Sequence, residues 1–97
     1  MESKIIFNDS KELSISTYVY SKQEKTLRVF IDNSDMSGDE LMEFLLGCDI
    51  SKFTLIFNCP NKTKKLRFVN YKLDLCERKI DSNYYYDKIY FSKKEDS

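Results

Sequence analysis

Apolar residues in this chain recur at every second position through most of its length, and at helical spacing only once. Leu13, Ile15, Thr17 and Val19 alternate with Ser14, Ser16, Tyr18 and Tyr20. Leu27, Val29 and Ile31 alternate with Arg28, Phe30 and Asp32, and Phe53, Leu55 and Phe57 with Thr54, Ile56 and Asn58. Successive side chains on a strand point to opposite faces, so this period predicts strands with one buried side. Leu41, Phe44 and Leu45, at i, i+3 and i+4, make the one apolar helical stripe. The expected fold class is therefore α+β: an antiparallel β-sheet in the order β-β-β-α-β-β-β, with one short helix packed on one face. With 97 residues, two glycines and one proline, the chain has length for one domain, residues 1–97, and no linker to divide it.

Residues 4–20 read as a hairpin around the turn-forming Asn8-Asp9-Ser10-Lys11, and residues 27–32 as a third strand. Ser37 with Glu40 three residues on is a capping box, Met36 and Leu41 suit a hydrophobic staple, and Gly47 can take a left-handed stop. The helix is thus expected near 37–47. Both faces of 53–58 are fairly apolar, which predicts a central strand. Leu66 and Phe68 share one parity while Tyr71, Leu73 and Leu75 share the other, so a bulge or bend is expected at Val69-Asn70. The polar stretch from Glu77 to Asn83 reads as a connection, Tyr84 to Phe91 as the last strand, and residues 93–97 as a frayed tail. Six such strands could also curl into a partly closed sheet.

Several chemistries are disfavoured. Sixteen Lys and Arg balance sixteen Asp and Glu, so no bulk field draws the chain to nucleic acid or membrane, and direct nucleic-acid binding is not expected. No apolar run nears the roughly 18 residues that span a bilayer. Cys48, Cys59 and Cys76 are an odd set without C-x-x-C spacing, and the chain has no His, so they read as reduced, mostly buried small residues. Asp32 to Glu43 has the length of a calcium loop, but Met36 stands at its fifth place and Ser37 at the sixth, where glycine is required; helix capping explains the same residues. No glycine-rich phosphate loop is present. No catalytic residue, metal or cofactor is expected. The N-terminus enters Ile5-Ile6-Phe7 without a secretion-signal pattern, so the sequons at Asn8 and Asn61 read as polar turns and the expected compartment is cytoplasmic.

Charge and tyrosine placement supply the candidate site. From Asp32 to Asp49 there are six acids and no base; from Lys62 to Lys79 there are seven bases against Asp74 and Glu77. Acids at a helix start favour its dipole and otherwise solvate the surface, but such a split can also steer a partner, or imitate a row of phosphates. Tyr84, Tyr86 and Tyr90 share one face of the last strand, opposite Tyr85, Ile89 and Phe91. In so small a domain both faces cannot be deep core, and exposed tyrosines anchor protein interfaces. The expected partner-binding residues are Asp35, Asp39, Glu40, Glu43, Tyr84, Tyr86 and Tyr90.

Three segments carry a resemblance. Phe7-Asn8-Asp9-Ser10-Lys11-Glu12-Leu13 resembles an F-x-D-G-x-x-L turn with Ser10 in place of glycine. Glu40-Leu41-Met42-Glu43-Phe44 resembles an E-L-x-x-L/F helix core, and Val69-Asn70-Tyr71 an x-N-Y kink. In that order they resemble small proteins encoded by phages and prophages of Gram-positive bacteria. The resemblance implies a tail- or baseplate-associated or accessory protein, in the virion or the host cytoplasm, and it transfers no catalytic residue. The expected function is non-enzymatic: a small structural or assembly module acting by protein–protein contact, with a virion component or with copies of itself. The alternative is an inhibitor of a host defence nuclease or CRISPR-type complex, using the acidic 32–49 segment as a nucleic-acid mimic or plug.

Overall fold

A computed structural model describes residues 3–94. The protein is α+β, with strands β1 (Ser3–Phe7), β2 (Glu12–Ile15), β3 (Thr17–Ser21) and β4 (Thr26–Asp32), helix α1 (Gly38–Leu46), and strands β5 (Lys52–Cys59), β6 (Lys62–Val69), β7 (Tyr71–Asp81) and β8 (Tyr84–Lys93). They form two four-stranded antiparallel sheets, β2-β1-β5-β6 and β3-β4-β8-β7. The class matches the sequence reading, but there are eight strands in two sheets rather than six in one. Two of the expected strands are each broken at a corner, where the chain leaves one sheet and enters the other.

The first corner is Ser16. Leu13 and Ile15 face the core from β2; past Ser16 the inward parity passes to Tyr18 and Tyr20, whose rings meet Phe57 and Phe68 of the first sheet edge-on at 5.2 and 5.1 Å. Val19, which simple alternation places on the buried side, is 47% exposed. The Ser16 N–H donates to the Phe30 carbonyl (2.8 Å) and its Oγ accepts from the Asp32 N–H (2.9 Å), which hands the chain from β1 to β4. The second corner is Asn70, at the bend expected from the parity switch. It sits at φ 65°, a left-handed conformation that Asn tolerates better than most residues. Its N–H donates to Ser51 O (2.9 Å) and its carbonyl accepts from the Lys94 N–H (2.8 Å).

The inner faces close on each other through Phe53. It stacks on Phe68 (5.0 Å) and tilts against Phe7 (5.9 Å) in its own sheet, and meets Phe91 (5.1 Å) and Tyr71 (6.3 Å) of the other. β5 is an inner strand, as its two apolar faces predict. The helix links the sheets. Leu41 and Leu45 are buried in the shared core, and Phe44 meets the Phe7 ring at 6.4 Å. Its N-terminus carries the expected capping box: Ser37 Oγ accepts from the Glu40 N–H (3.1 Å), and Glu40 Oε1 from the Ser37 N–H (3.2 Å).

Three local expectations need correction. Gly47 ends the helix at φ −85°, in the right-handed region, not in a left-handed stop. Its carbonyl instead accepts from Lys11 Nζ (2.9 Å), so a cation from the β1–β2 turn sits where the helix dipole favours one. The Glu77–Asn83 connection shrinks to the two residues between β7 and β8, because the polar residues 77–81 pair with β8 as an edge strand. Strand β8 runs to Lys93, whose N–H bonds the Lys25 carbonyl, so order reaches further into the tail than expected; residues 95–97 lie outside the described residues.

Candidate functional site

The outer face of the second sheet is built by alternation. On β8, Asp87, Ile89 and Phe91 point inward and are at most 1% exposed, which turns Tyr84, Tyr86, Lys88 and Tyr90 outward. Register brings Phe30 of β4 opposite Lys88, and Arg28 opposite Tyr90. The result is a continuous aromatic surface around one ammonium. Tyr84 stacks on Tyr86 at 6.0 Å, Phe30 lies 6.2 Å from Tyr86, and Lys88 Nζ stands 5.8 Å from the Phe30 ring centroid and 5.4 Å from that of Tyr90. Hydrogen bonding with Tyr90 is the main cause that raises the Lys88 pKa, so this cation is held protonated. The ring quadrupole attracts a cation held over an aromatic face. Val19 and Leu75 extend the face at its edges, both nearly half exposed.

The structure therefore groups Tyr84, Tyr86 and Tyr90. Phe30 and Lys88 join them. Phe30 was legible as the off-parity aromatic between Val29 and Ile31, and Lys88 as the residue at period two between Tyr86 and Tyr90.

The acidic candidates lie elsewhere, on the β4–α1 loop and the helix. Asp35, Asp39, Glu40 and Glu43 are all exposed. Glu40 is engaged in the capping box; among the described residues no hydrogen bond or ion pair is formed by the carboxylates of Asp35, Asp39 and Glu43. Asp35 lines a shallow groove of about 400 Å³ with Leu13, Ile31, Met36 and Phe44 beneath it. The loop is tied to the second sheet from behind. Buried Asp87 takes Arg78 Nε (2.7 Å) and Nη2 (3.1 Å), and Nη2 also donates to the Met36 carbonyl. The Arg78 guanidinium lies 4.5 Å over the Tyr85 ring, and the Tyr85 hydroxyl donates to Ser34 O.

The basic stretch is not one surface. The Asn70 corner leaves Lys65 and Arg67 on the outer face of the first sheet, beside Ile56 and Thr54, while Lys72 and Lys79 belong to the second sheet and Arg78 turns inward to Asp87.

Asp49, the last acid of the segment, is fully engaged. Ser51 Oγ (2.6 Å), Asn8 Nδ2 (2.9 Å) and the Ser51 N–H (3.1 Å) all donate to it, and these hydrogen bonds bring its pKa from 3.8 to about 2. A carboxylate depressed in the folded state stabilises it above its unfolded pKa, and that share is lost as pH falls from about 4 through about 2. Asp49→Asn should therefore flatten the acid limb of a stability-versus-pH curve in that window, measured by urea unfolding between pH 2 and 5. An unchanged limb would contradict the assignment.

Burial is the main cause that pushes the Cys48 and Cys76 thiols up, away from the reactive thiolate. Among the described residues no group of three Cys, Asp or Glu is placed to hold a metal ion, and no helix is long and apolar enough to cross a membrane. No family model, curated protein or solved structure matches the chain.

Proposed function

We propose that this chain is a non-enzymatic binding protein of the phage or prophage kind, which works by contact with another protein through the outer face of the second sheet. The observation that carries this reading is the outward-facing surface of Tyr84, which is exposed, with half-buried Tyr86, Phe30 and Tyr90 around Lys88. Tyrosine suits such a surface, because it offers a large, stiff contact area at small conformational cost and its hydroxyl stays satisfied when the interface is wet. The rings already brace one another, so little side-chain freedom remains to be lost on binding. A virion component is the partner class implied by the resemblance of the Phe7–Leu13, Glu40–Phe44 and Val69–Tyr71 segments.

The second reading, a nucleic-acid mimic that blocks a host defence nuclease or CRISPR-type complex, is favoured by a different observation: the carboxylates of Asp35, Asp39 and Glu43 are exposed and unpaired among the described residues. One experiment separates the two. Purified virion proteins and purified defence complexes are titrated against wild type, Tyr86→Ala/Tyr90→Ala, and Asp35→Lys/Asp39→Lys/Glu43→Lys by surface plasmon resonance. The first reading expects a virion protein to bind, with the tyrosine variant weaker by about 30-fold, the loss of roughly 2 kcal/mol typical of an interface anchor. The acidic variant should stay within threefold. The opposite pattern, on a defence complex, would replace the first reading with the second.

A further inference from the structure

The longest edge of the molecule is β7, which closes the second sheet on one side with eleven residues. Among the described residues no backbone hydrogen bond reaches residues 75–81 from any element other than β8. Edge strands usually carry a defence against pairing. Edge strand β6 has one of a single sign, with Lys62, Lys64, Lys65 and Arg67 along its length, whereas the charges of β7 beyond its bulge are of both signs, Glu77 and Asp81 beside Arg78 and Lys79. On β7 the register break between Leu73 and Leu75 disturbs only the part near the corner. Beyond it the strand is regular, and it exposes Ile80 (79%) and Leu75 (47%).

The charges of this segment are complementary about Arg78, and within one chain Glu77 and Lys79 form only a loose pair at 3.8 Å. Glu77 precedes it and Lys79 follows, both on the outer face, in register with Lys88 and Tyr86 of β8. We infer that β7 pairs antiparallel with β7 of a second copy of this chain, about a twofold axis at Arg78, so that two four-stranded sheets become one of eight strands.

A twofold axis perpendicular to the sheet keeps side chains on their own faces, so only residues of equal parity can face each other. Centred on Arg78, Glu77 of each copy faces Lys79 of the other, twice per dimer, and Ile80 faces Cys76. Arg78 faces Arg78, but its guanidinium is turned inward and neutralised by Asp87. Centring on Glu77 or on Lys79 sets like charges opposite each other on the outer face, and centring on Cys76 runs the pairing into the register break. Backbone polarity agrees. The two-residue turn makes Asp81 and Tyr84 a hydrogen-bonded pair, so alternation directs the main-chain groups of residues 76, 78 and 80 away from β8 and toward the open edge. The inference is independent of the proposed virion contact. The aromatic surface could bind its partner in a monomer, and failure of one leaves the other standing.

The test is sedimentation equilibrium of the full chain from micromolar to millimolar concentration, with circular dichroism to show that each variant is folded. Wild type should be in reversible monomer–dimer equilibrium. Glu77→Lys and Lys79→Glu each convert two attractive cross-strand pairs into repulsive ones and should weaken the dimer about tenfold or more, and the double swap should restore it. Ile80→Lys, at a side chain already open to solvent, should abolish association without touching the fold. A wild-type monomer throughout the range would overturn the proposal, and is what an edge reserved for an extended segment of another protein would give. So would a dimer indifferent to all of these changes.

Discussion

Replacing Arg78 by methionine should destabilise the fold by about 2–4 kcal/mol, measured by urea unfolding at pH 7. Breaking a buried ion pair costs roughly 3–5 kcal/mol when it strands the other charge, and the partial exposure of the guanidinium lowers the figure here. Asp87 is 1% exposed, and the Arg78 side chain covers its carboxylate while remaining 25% exposed itself. Methionine keeps the length of the stem, so the loss is electrostatic rather than a cavity. Asp87→Asn should cost less, because the amide oxygen can still accept from Arg78 and no anion is left buried. The double variant Arg78→Met/Asp87→Leu should regain most of the loss, since two apolar groups of similar volume leave no charge to desolvate. A double variant as unstable as Arg78→Met alone would mean that the Met36 carbonyl and the Tyr85 ring, not the carboxylate, are what Arg78 serves. The same substitution has a local reading. Arg78 and Tyr85 are the posts to which residues 34–36 are fastened, so Arg78→Met should speed amide exchange in the 33–37 loop that presents Asp35.

That pair also marks where the sequence is opaque. Alternation correctly places Ile89 and Phe91 inward, but the same parity puts a charged Asp87 inside, and nothing in a polar run such as Glu77-Arg78-Lys79 announces which of its members turns into the core. A strand that buries a satisfied ion pair looks like a loop from its sequence. The helix was legible because capping is local: Ser37 and Glu40 find each other within one turn, whatever the tertiary fold. The two corners differ for a similar reason. At Asn70 the apolar parity switches visibly, from Leu66 and Phe68 to Tyr71 and Leu73. At Ser16 it does not, since Thr17 and Val19 continue the parity of Leu13 and Ile15, while the inward residues past the corner are tyrosines, which suit either side of a sheet. The corner is decided by long-range bonds to Phe30 and Asp32. Of the candidate surface, the tyrosine face could be read from period two alone; its union with Phe30 depends on the pairing of β4 with β8, strands separated by the helix and three others.

The largest loss from a single truncation is expected at Phe53. It is 3% exposed, and its ring touches Phe7 and Phe68 in the first sheet and Tyr71 and Phe91 in the second. Among the described residues no other joins so many rings across the two layers. Phe53→Ala removes the buried area and leaves a cavity that four rigid rings cannot collapse into, at a cost of about 3–5 kcal/mol. A domain of this size has only about 5–10 kcal/mol to lose. The thermal midpoint should fall by roughly 12 °C or more, at about 4–8 °C per kcal/mol. Phe53→Leu, which keeps most of the volume, should cost about 1–1.5 kcal/mol. Phe57→Ala is the control: its half-buried ring meets Tyr18 alone among the aromatics of the described residues, and its loss should be well under half that of Phe53→Ala. If the two alanine variants melted together, the sheets would be held by their edges at the Ser16 and Asn70 corners rather than by the aromatic stack between them.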